Sequence, residues 1–252
     1  MARLSEMPNA VRIFDDPSDL MRAAAGEIVS AAQKAVDERG RFTWALAGGS
    51  TPRALYRLLA SDPYRERMPW NAIHFFWGDE RHVPPDHPDS NYGMLHESFA
   101  SRVPIPAANL HRIAGERAPE AARDAYDAEL RAELSVAEGG GPRALFDVML
   151  LGLGEDGHTA SLFPGSAVER SAWVATRRHP QTGQWRISLT EPLLNAARLA
   201  LFIVSGRGKA ERLHEILQGP RDPQRLPAQR IAPSGRLRFC VDQAAAQRML
   251  TA

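Results

Sequence analysis

Two hydrophobic periods alternate along this chain, and that alternation restricts its fold more than any single motif does. Short apolar runs rich in β-branched and aromatic residues lie at 11–14 (VRIF), 41–47 (RFTWALA), 73–77 (IHFFW), 146–152 (FDVMLLG), 185–189 (WRISL), 199–205 (LALFIVS) and 237–241 (LRFCV). Between them, residues 19–39, 119–133, 208–217 and 243–250 carry apolar side chains at helical spacing. Repeated switching between a period of two and a period near 3.6 is the pattern of βαβ units on a mostly parallel sheet. With 252 residues, 44% of them hydrophobic, the chain can bury a substantial core within one α/β domain. The connectors at 138–143 (EGGGPR) and from Gly219 (GPRDPQRLP) are too short to divide it, and no repeat recurs, so a single domain over 1–252 is expected.

Composition narrows the function. Lys and Arg number 31 and Asp and Glu 30, so there is no electrostatic footprint for nucleic acid or an anionic membrane, and a small-molecule partner is expected. One cysteine, Cys240, excludes an internal disulfide and suits a reducing compartment. The first residues lack the apolar segment of a signal peptide and no later run is long enough to span a bilayer; a cytoplasmic location is expected. Only Lys34 and Lys209 are lysines, which singles out Lys209.

In an open parallel sheet, ligands bind beyond the carboxyl ends of the strands. Four loops after strand-like runs carry polar chemistry. After the second run, Gly48, Gly49, Ser50 and Thr51 precede Pro52 at a helix start, where exposed N–H groups and the positive end of the helix dipole favour a phosphate. No Gly-Lys-Ser/Thr follows, so this is not a Walker loop. After the third run stand Asp79, Glu80 and Arg81, charges that need partners beside a buried strand. His82 and His87 with Asp86 and Asp89 lack the spacing of a metal site, and no metal or other cofactor is expected there.

The third loop, LLGLGEDGHTASLFPG at 150–165, contains GxGxxG but fails as a dinucleotide fingerprint. Glu155 and Asp156 would repel a pyrophosphate, and no acidic residue stands about twenty positions on. What remains is a glycine-shaped turn presenting Asp156 and His158, a carboxylate and an imidazole in a general-base arrangement. The fourth loop, SGRGKAERL, puts Arg207 and Lys209 at a helix start, where cations are unfavourable unless an anion shares the site.

LAGGSTP, WGDERHVP followed by SNY, GLGEDGHTASLFPG and SGRGKA, in this order, resemble the 6-phosphogluconolactonases over nearly the whole chain. The resemblance implies a Rossmann-like three-layer α/β/α fold of the NagB/RpiA/CoA transferase-like class, shared with the glucosamine-6-phosphate deaminases. It also implies hydrolysis of 6-phospho-D-glucono-1,5-lactone, the second step of the oxidative pentose phosphate pathway. The deaminases extend the histidine motif with a glutamate and carry a tyrosine after Asp-Glu; this chain has TASLFPG and Arg81 at those places. Under this reading His158 is the base, Asp156 orients it, and Arg81 balances negative charge on the oxyanion or the phosphate. Asp79 positions Arg81 or a sugar hydroxyl. The phosphate rests on Gly48, Gly49, Ser50 and Thr51 with Lys209 and Arg207 as counter-charge, and the chain acts as a monomer or weak dimer.

Three other readings compete. A glucosamine-6-phosphate deaminase-like enzyme would use the same fold. A sugar-phosphate sensor would bind without turnover, although nothing ahead of residue 11 has room or charge for a DNA-binding region. A serine esterase would recruit Ser50 with Asp156 and His158, although Pro52 replaces the second glycine of G-x-S-x-G.

Overall fold

The structure, a computed structural model, describes residues 10–134 and 144–250. The connector at 138–143 lies outside the described residues. Among the described residues ten strands form: β1 (Val11–Phe14), β2 (Phe42–Leu46), β3 (Ile73–Trp77), β4 (Asp79–Arg81), β5 (Leu110–His111), β6 (Phe146–Leu151), β7 (Val174–Arg178), β8 (Trp185–Leu189), β9 (Ala197–Val204) and β10 (Arg236–Asp242). The α-helices are α1 (Pro17–Arg39), α2 (Ser50–Leu59), α3 (Tyr64–Arg67), α4 (Asn91–Leu95), α5 (Pro119–Leu134), α6 (Glu191–Leu194), α7 (Ala210–Gln218) and α8 (Gln243–Leu250).

Seven strands pair in the order β1-β10-β9-β6-β2-β3-β5, every pair parallel. From β1 at one edge the chain crosses to β2 and runs outward through β3 to β5, then returns to β6 on the other side of β2 and proceeds through β9 to β10. The crossovers therefore diverge between β2 and β6, which opens a crevice at their carboxyl ends. All five residues of β2 are buried, as are the last four of β6 and all but Arg198 of β9, so both faces of the sheet are covered. Helices α1 and α2, packed together, and α7 and α8, packed together, supply the covering layers of a three-layer α/β/α fold.

Local chemistry fixes where the elements begin and end. Asp16 caps α1 by accepting the Asp19 N–H at 2.8 Å, Pro17 opens the first turn, and Gly40 closes it at φ +72°. The buried stripe of α1, Leu20, Ala24, Ile28, Ala32 and Ala35, follows helical spacing. Beneath α2 an aromatic cluster joins Trp44, Tyr56, Phe75 and Phe99, with ring centroids 5.4–6.4 Å apart. Two of the buried tyrosines close strand ends. The Tyr56 hydroxyl accepts the Ala47 N–H at 3.0 Å and donates to the Ala47 carbonyl at 2.8 Å; the Tyr126 hydroxyl does the same for Trp77 at 2.9 and 3.0 Å.

WRISL forms a strand, but outside the main sheet. As β8 it lies between β4 and β7 in an antiparallel three-stranded sheet joined to the exit of β3 by the Leu189 N–H bond to the Gly78 carbonyl. An apolar run identifies a strand without identifying its partner, and the partner here is set by the turn through Gly183, which folds β7 back on β8. No helix begins at TASLF; residues 159–162 close in a turn with an isolated bridge from Thr159 to Leu162.

Glu80 shows what the charges after β3 do for the fold. Its carboxylate, 2% exposed, accepts N–H bonds from Arg81 (2.8 Å), Asn91 (2.7 Å) and Tyr92 (2.8 Å) and the Ser90 hydroxyl at 3.2 Å. Burial pushes its pKa up, opposed by those backbone donors. Glu80→Ala leaves the buried Asn91 and Tyr92 N–H groups without an acceptor and should destabilise the fold by about 2–4 kcal/mol. Urea unfolding of the variant checks this; an unchanged midpoint contradicts it.

Candidate active site

The four polar loops leave β2, β3, β6 and β9, four strands adjacent in the sheet, all at their carboxyl ends. At the exit of β6 the turn closes through the Gly154 N–H bond to the His158 carbonyl (2.8 Å) and the Gly157 N–H bond to the Gly154 carbonyl (3.1 Å). A Cβ on Gly154 would lie 2.1 Å from His158 Nδ1, so the imidazole rests directly against the backbone. Gly157 has φ +89° and faces Leu226, where a Cβ would come within 2.8 Å. Gly152 has open space around it, so only two of the three fingerprint glycines are sterically required.

This turn fixes the acid–base pair. Asp156 Oδ1 lies 2.5 Å from His158 Nδ1 and also accepts the His158 backbone N–H at 3.1 Å. With Nδ1 donating to the carboxylate, the lone pair of the imidazole is on Nε2. Partial burial raises the Asp156 pKa, but the hydrogen bond and charge of His158 outweigh it and hold the carboxyl down at about 2. The Asp156 carboxylate is therefore ionised at any physiological pH.

Around this pair the other loops interlock. Asp79 Oδ2 accepts the Ser161 hydroxyl at 2.7 Å, and the Asn91 amide donates to the Asp79 carbonyl at 2.8 Å and to Oδ1 at 3.3 Å. The Asn91 side chain presses on Gly48, where a Cβ would sit 2.0 Å from Asn91 Oδ1. Asp79 thus ties the loops after β2, β3 and β6 together, and it does not hold Arg81. Arg81 instead donates through Nη1 to the Asp89 carbonyl at 2.7 Å, while its buried Nε–H has no partner. Lysine and arginine at the β9 exit have separate surroundings. Lys209 Nζ lies 3.7 Å from Glu155 Oε1, and Arg207 is exposed. The anion that a cationic helix start calls for is supplied here by Glu155.

Gly49 precedes α2 at φ +103°, with no side-chain cap on the helix. Among the described residues the N–H groups of Ser50 and Thr51 have no acceptor, and neither hydroxyl has a partner. Ser50 makes no bond to His158, so the esterase triad does not assemble. His82 Nδ1 bonds the Gly115 carbonyl beyond β5 at 2.7 Å and His87 Nδ1 accepts the Asp89 N–H at 3.1 Å, so both histidines of this loop are engaged with backbone groups.

Two site residues escaped the sequence reading, and both come from the β7–β8 hairpin. Arg186 lies directly opposite Arg81 in the antiparallel register and so on the same face. Burial pushes its guanidinium pKa down, while the Asp79 carboxylate pulls it up and Arg81 pushes it down again. His179 sits at the hairpin turn with its ring 5.0 Å from Phe163, which lies 5.3 Å from His158. Burial lowers the His179 pKa, as do the charges of Arg186, His158 and Arg81. The polar stretch RRHPQTGQWR between two β-like runs is the signal that a hairpin carries these groups.

Residues 15–239 match the family described as glucosamine-6-phosphate isomerases/6-phosphogluconolactonase. A 6-phosphogluconolactonase of Synechocystis is 43% identical over 221 residues, covering 86% of this chain and 88% of the relative. The crystal structure of the 6-phosphogluconolactonase from Thermotoga maritima superposes with a TM-score of 0.79 at 31% identity, covering 92% of this chain and 99% of that one. A monomeric glucosamine-6-phosphate deaminase shares the fold, with a TM-score of 0.78 at 20% identity over 95% of this chain and 99% of that one. The motif order, the loops gathered at one end of the sheet and a match spanning nearly the whole length agree: this chain belongs to the glucosamine-6-phosphate isomerase/6-phosphogluconolactonase family.

Proposed function

We propose that this chain hydrolyses 6-phospho-D-glucono-1,5-lactone to 6-phospho-D-gluconate within one domain, with His158 as general base. The observation that carries the reading is the 2.5 Å contact from Asp156 to His158 Nδ1, which leaves Nε2 as the base in a family whose relatives of 37–43% identity are 6-phosphogluconolactonases. Nε2 takes a proton from water as its oxygen bonds to C1, and Asp156 stabilises the imidazolium. Negative charge on the C1 oxygen is met by the guanidinium of Arg81 and by Arg186 beside it. Collapse breaks the bond from C1 to the ring oxygen, which receives the proton back from His158, and the new carboxylic acid releases its proton. Asp79 supports the arrangement through Ser161 and Asn91.

The uncapped start of α2, from Gly48 and Gly49 to Ser50 and Thr51, offers the phosphate two free N–H groups and two hydroxyls. Lys209, shared with Glu155, and Arg207 add positive charge from the β9 loop. Holding the phosphate there keeps C1 in register with the base. Cys240 is buried, with its thiol pushed up to about 12 by burial, so it is an inert core residue with no part in the reaction; this reading places the chain in the cytoplasm. No helix among the described residues is long and apolar enough to cross a membrane. Size-exclusion chromatography tests the monomer or weak dimer that the reading includes.

His158→Ala should lower kcat by about 10²–10⁴ while 6-phosphogluconate still binds. Acid release from fresh lactone, corrected for spontaneous hydrolysis, measures it, with glucosamine 6-phosphate run alongside for ammonia. Turnover near wild type in the folded variant removes His158 as base, and ammonia would move the chain to the deaminase branch. Lys209→Ala should chiefly raise KM, by about tenfold or more, with kcat little changed; a fall confined to kcat would place Lys209 at C1 instead of the phosphate. The Asp156 pKa is lower in the folded chain than the ordinary 3.8. The stability it contributes is present above about pH 4 and disappears as pH falls toward 2, and partial exposure keeps it below ~1 kcal/mol. The Tm gap between wild type and Asp156→Asn should therefore shrink over that window; a constant gap would show that the carboxylate is not held by His158.

A further inference from the structure

We propose that His74, His111 and Glu133 form a Zn2+ site at the β5 edge of the sheet, apart from the lactone loops. His74 Nδ1 lies 3.1 Å from His111 Nε2 and 4.0 Å from Glu133 Oε2, and the three donor atoms are all within 4.8 Å of one another. Donors about 2.0–2.2 Å from a tetrahedral zinc stand ~3.4 Å apart, so the observed spacings bracket what a shared ion requires. Two imidazoles and a carboxylate are a borderline donor set that suits zinc better than magnesium or calcium.

The second observation is the support behind the donors. His111 Nδ1 lies 2.9 Å from Glu129 Oε1, so its N–H donates to a carboxylate and its Nε2 lone pair is aimed at His74. A carboxylate behind a liganding imidazole is the arrangement that fixes its tautomer at zinc centres. Glu129 and Glu133 are four residues apart on α5, one behind His111 and the other completing the donor set. His111 is 4% exposed and stacks at 4.4 Å on Phe76, which fixes its ring; the Glu133 side chain is 37% exposed, leaving the fourth position to water. Arg41, which bonds the Glu133 carbonyl at 3.3 Å, opposes a cation here, and the two carboxylates outnumber it.

Without metal, the same groups make a hydrogen-bonded relay from His74 through His111 to Glu129. Glu133 has no hydrogen bond in that relay, and its carboxylate turned toward His74 Nδ1 is what the relay alone does not explain. A zinc ion would fasten α5 and the two-residue β5 to β3, a region where strand pairing is limited to Phe75 with Leu110 and Phe76 with His111.

The test titrates Zn2+ into chelator-treated full-length protein by calorimetry, in the His158→Ala background so that the imidazole at the lactone loops is absent. One equivalent should bind, with Tm rising on the order of 5 °C at a hundred times Kd. Co2+ should give the intense visible absorption of a tetrahedral centre. His74→Ala and Glu133→Gln should each weaken binding by on the order of 100-fold, and Glu129→Gln by about 10–100-fold, while His87→Ala changes nothing. Circular dichroism confirms that the variants fold, and Glu133→Gln serves if His74→Ala does not. No saturable binding by the parent protein, or equal binding by His74→Ala and Glu133→Gln, overturns the proposal.

Discussion

A parallel sheet buried on both faces has to stop somewhere, and where it stops its last N–H and C=O groups lose their partners. At β2 and β3 the two phenols of Tyr56 and Tyr126 solve this, each serving as donor and acceptor to one residue at the strand exit. An unpaired buried peptide group costs about 1–3 kcal/mol, so the phenols hold the rim of the crevice in place without extending the sheet across it. Each comes from a helix packed over the strands, Tyr56 from α2 and Tyr126 from α5, so the covering layers fix where the ligand-facing end begins. Burial raises the pKa of both hydroxyls and keeps them neutral, as this double role demands.

Much of this architecture can be read from the sequence because its cause is local. The runs from Phe42, Ile73 and Phe146 become strands of the central sheet because apolar residues on both faces can be satisfied only in a covered parallel layer. Asp156 and His158 were legible as a pair since two residues of separation across a glycine turn leaves little freedom. The place of the hairpin carrying His179 and Arg186 beside these loops was not, because it depends on β8 also pairing with β4, a three-residue segment with no hydrophobic signal of its own. Asp79 stands out in the sequence as a candidate but its partners do not: Ser161 is 82 positions away in sequence, and such contacts have no local signature. The positive charge of Lys209 was legible, whereas its pairing with Glu155 arises only when the loops after β6 and β9 meet.

Electrostatics in the crevice follow a division of labour among three consecutive residues. Glu80 turns inward and is spent on backbone N–H groups, which makes it part of the scaffold. Asp79 and Arg81 turn the other way, as the alternation of a strand requires, and face the loops. Arg81 and Arg186 stand opposite each other, with Asp79 and Asp89 near enough to stabilise the Arg186 charge, an arrangement in which like charges across a ladder are costly unless an anion joins them. A strand of three residues thus separates a buried scaffold carboxylate from two crevice-facing groups by pleat alone.

The contact of His158 with Gly154 ties the imidazole's position to the course of the main chain. Because the ring lies on a residue that has no side chain, nothing there can be repacked independently of the turn. A larger residue at 154 would be felt at the imidazole before it was felt by the fold, since its Cβ meets Nδ1 and Asp156 Oδ1 first. The turn is therefore the template on which the Asp156–His158 geometry is cast, and variation that preserves the geometry has to enter through neighbours such as Gly152, around which space is open.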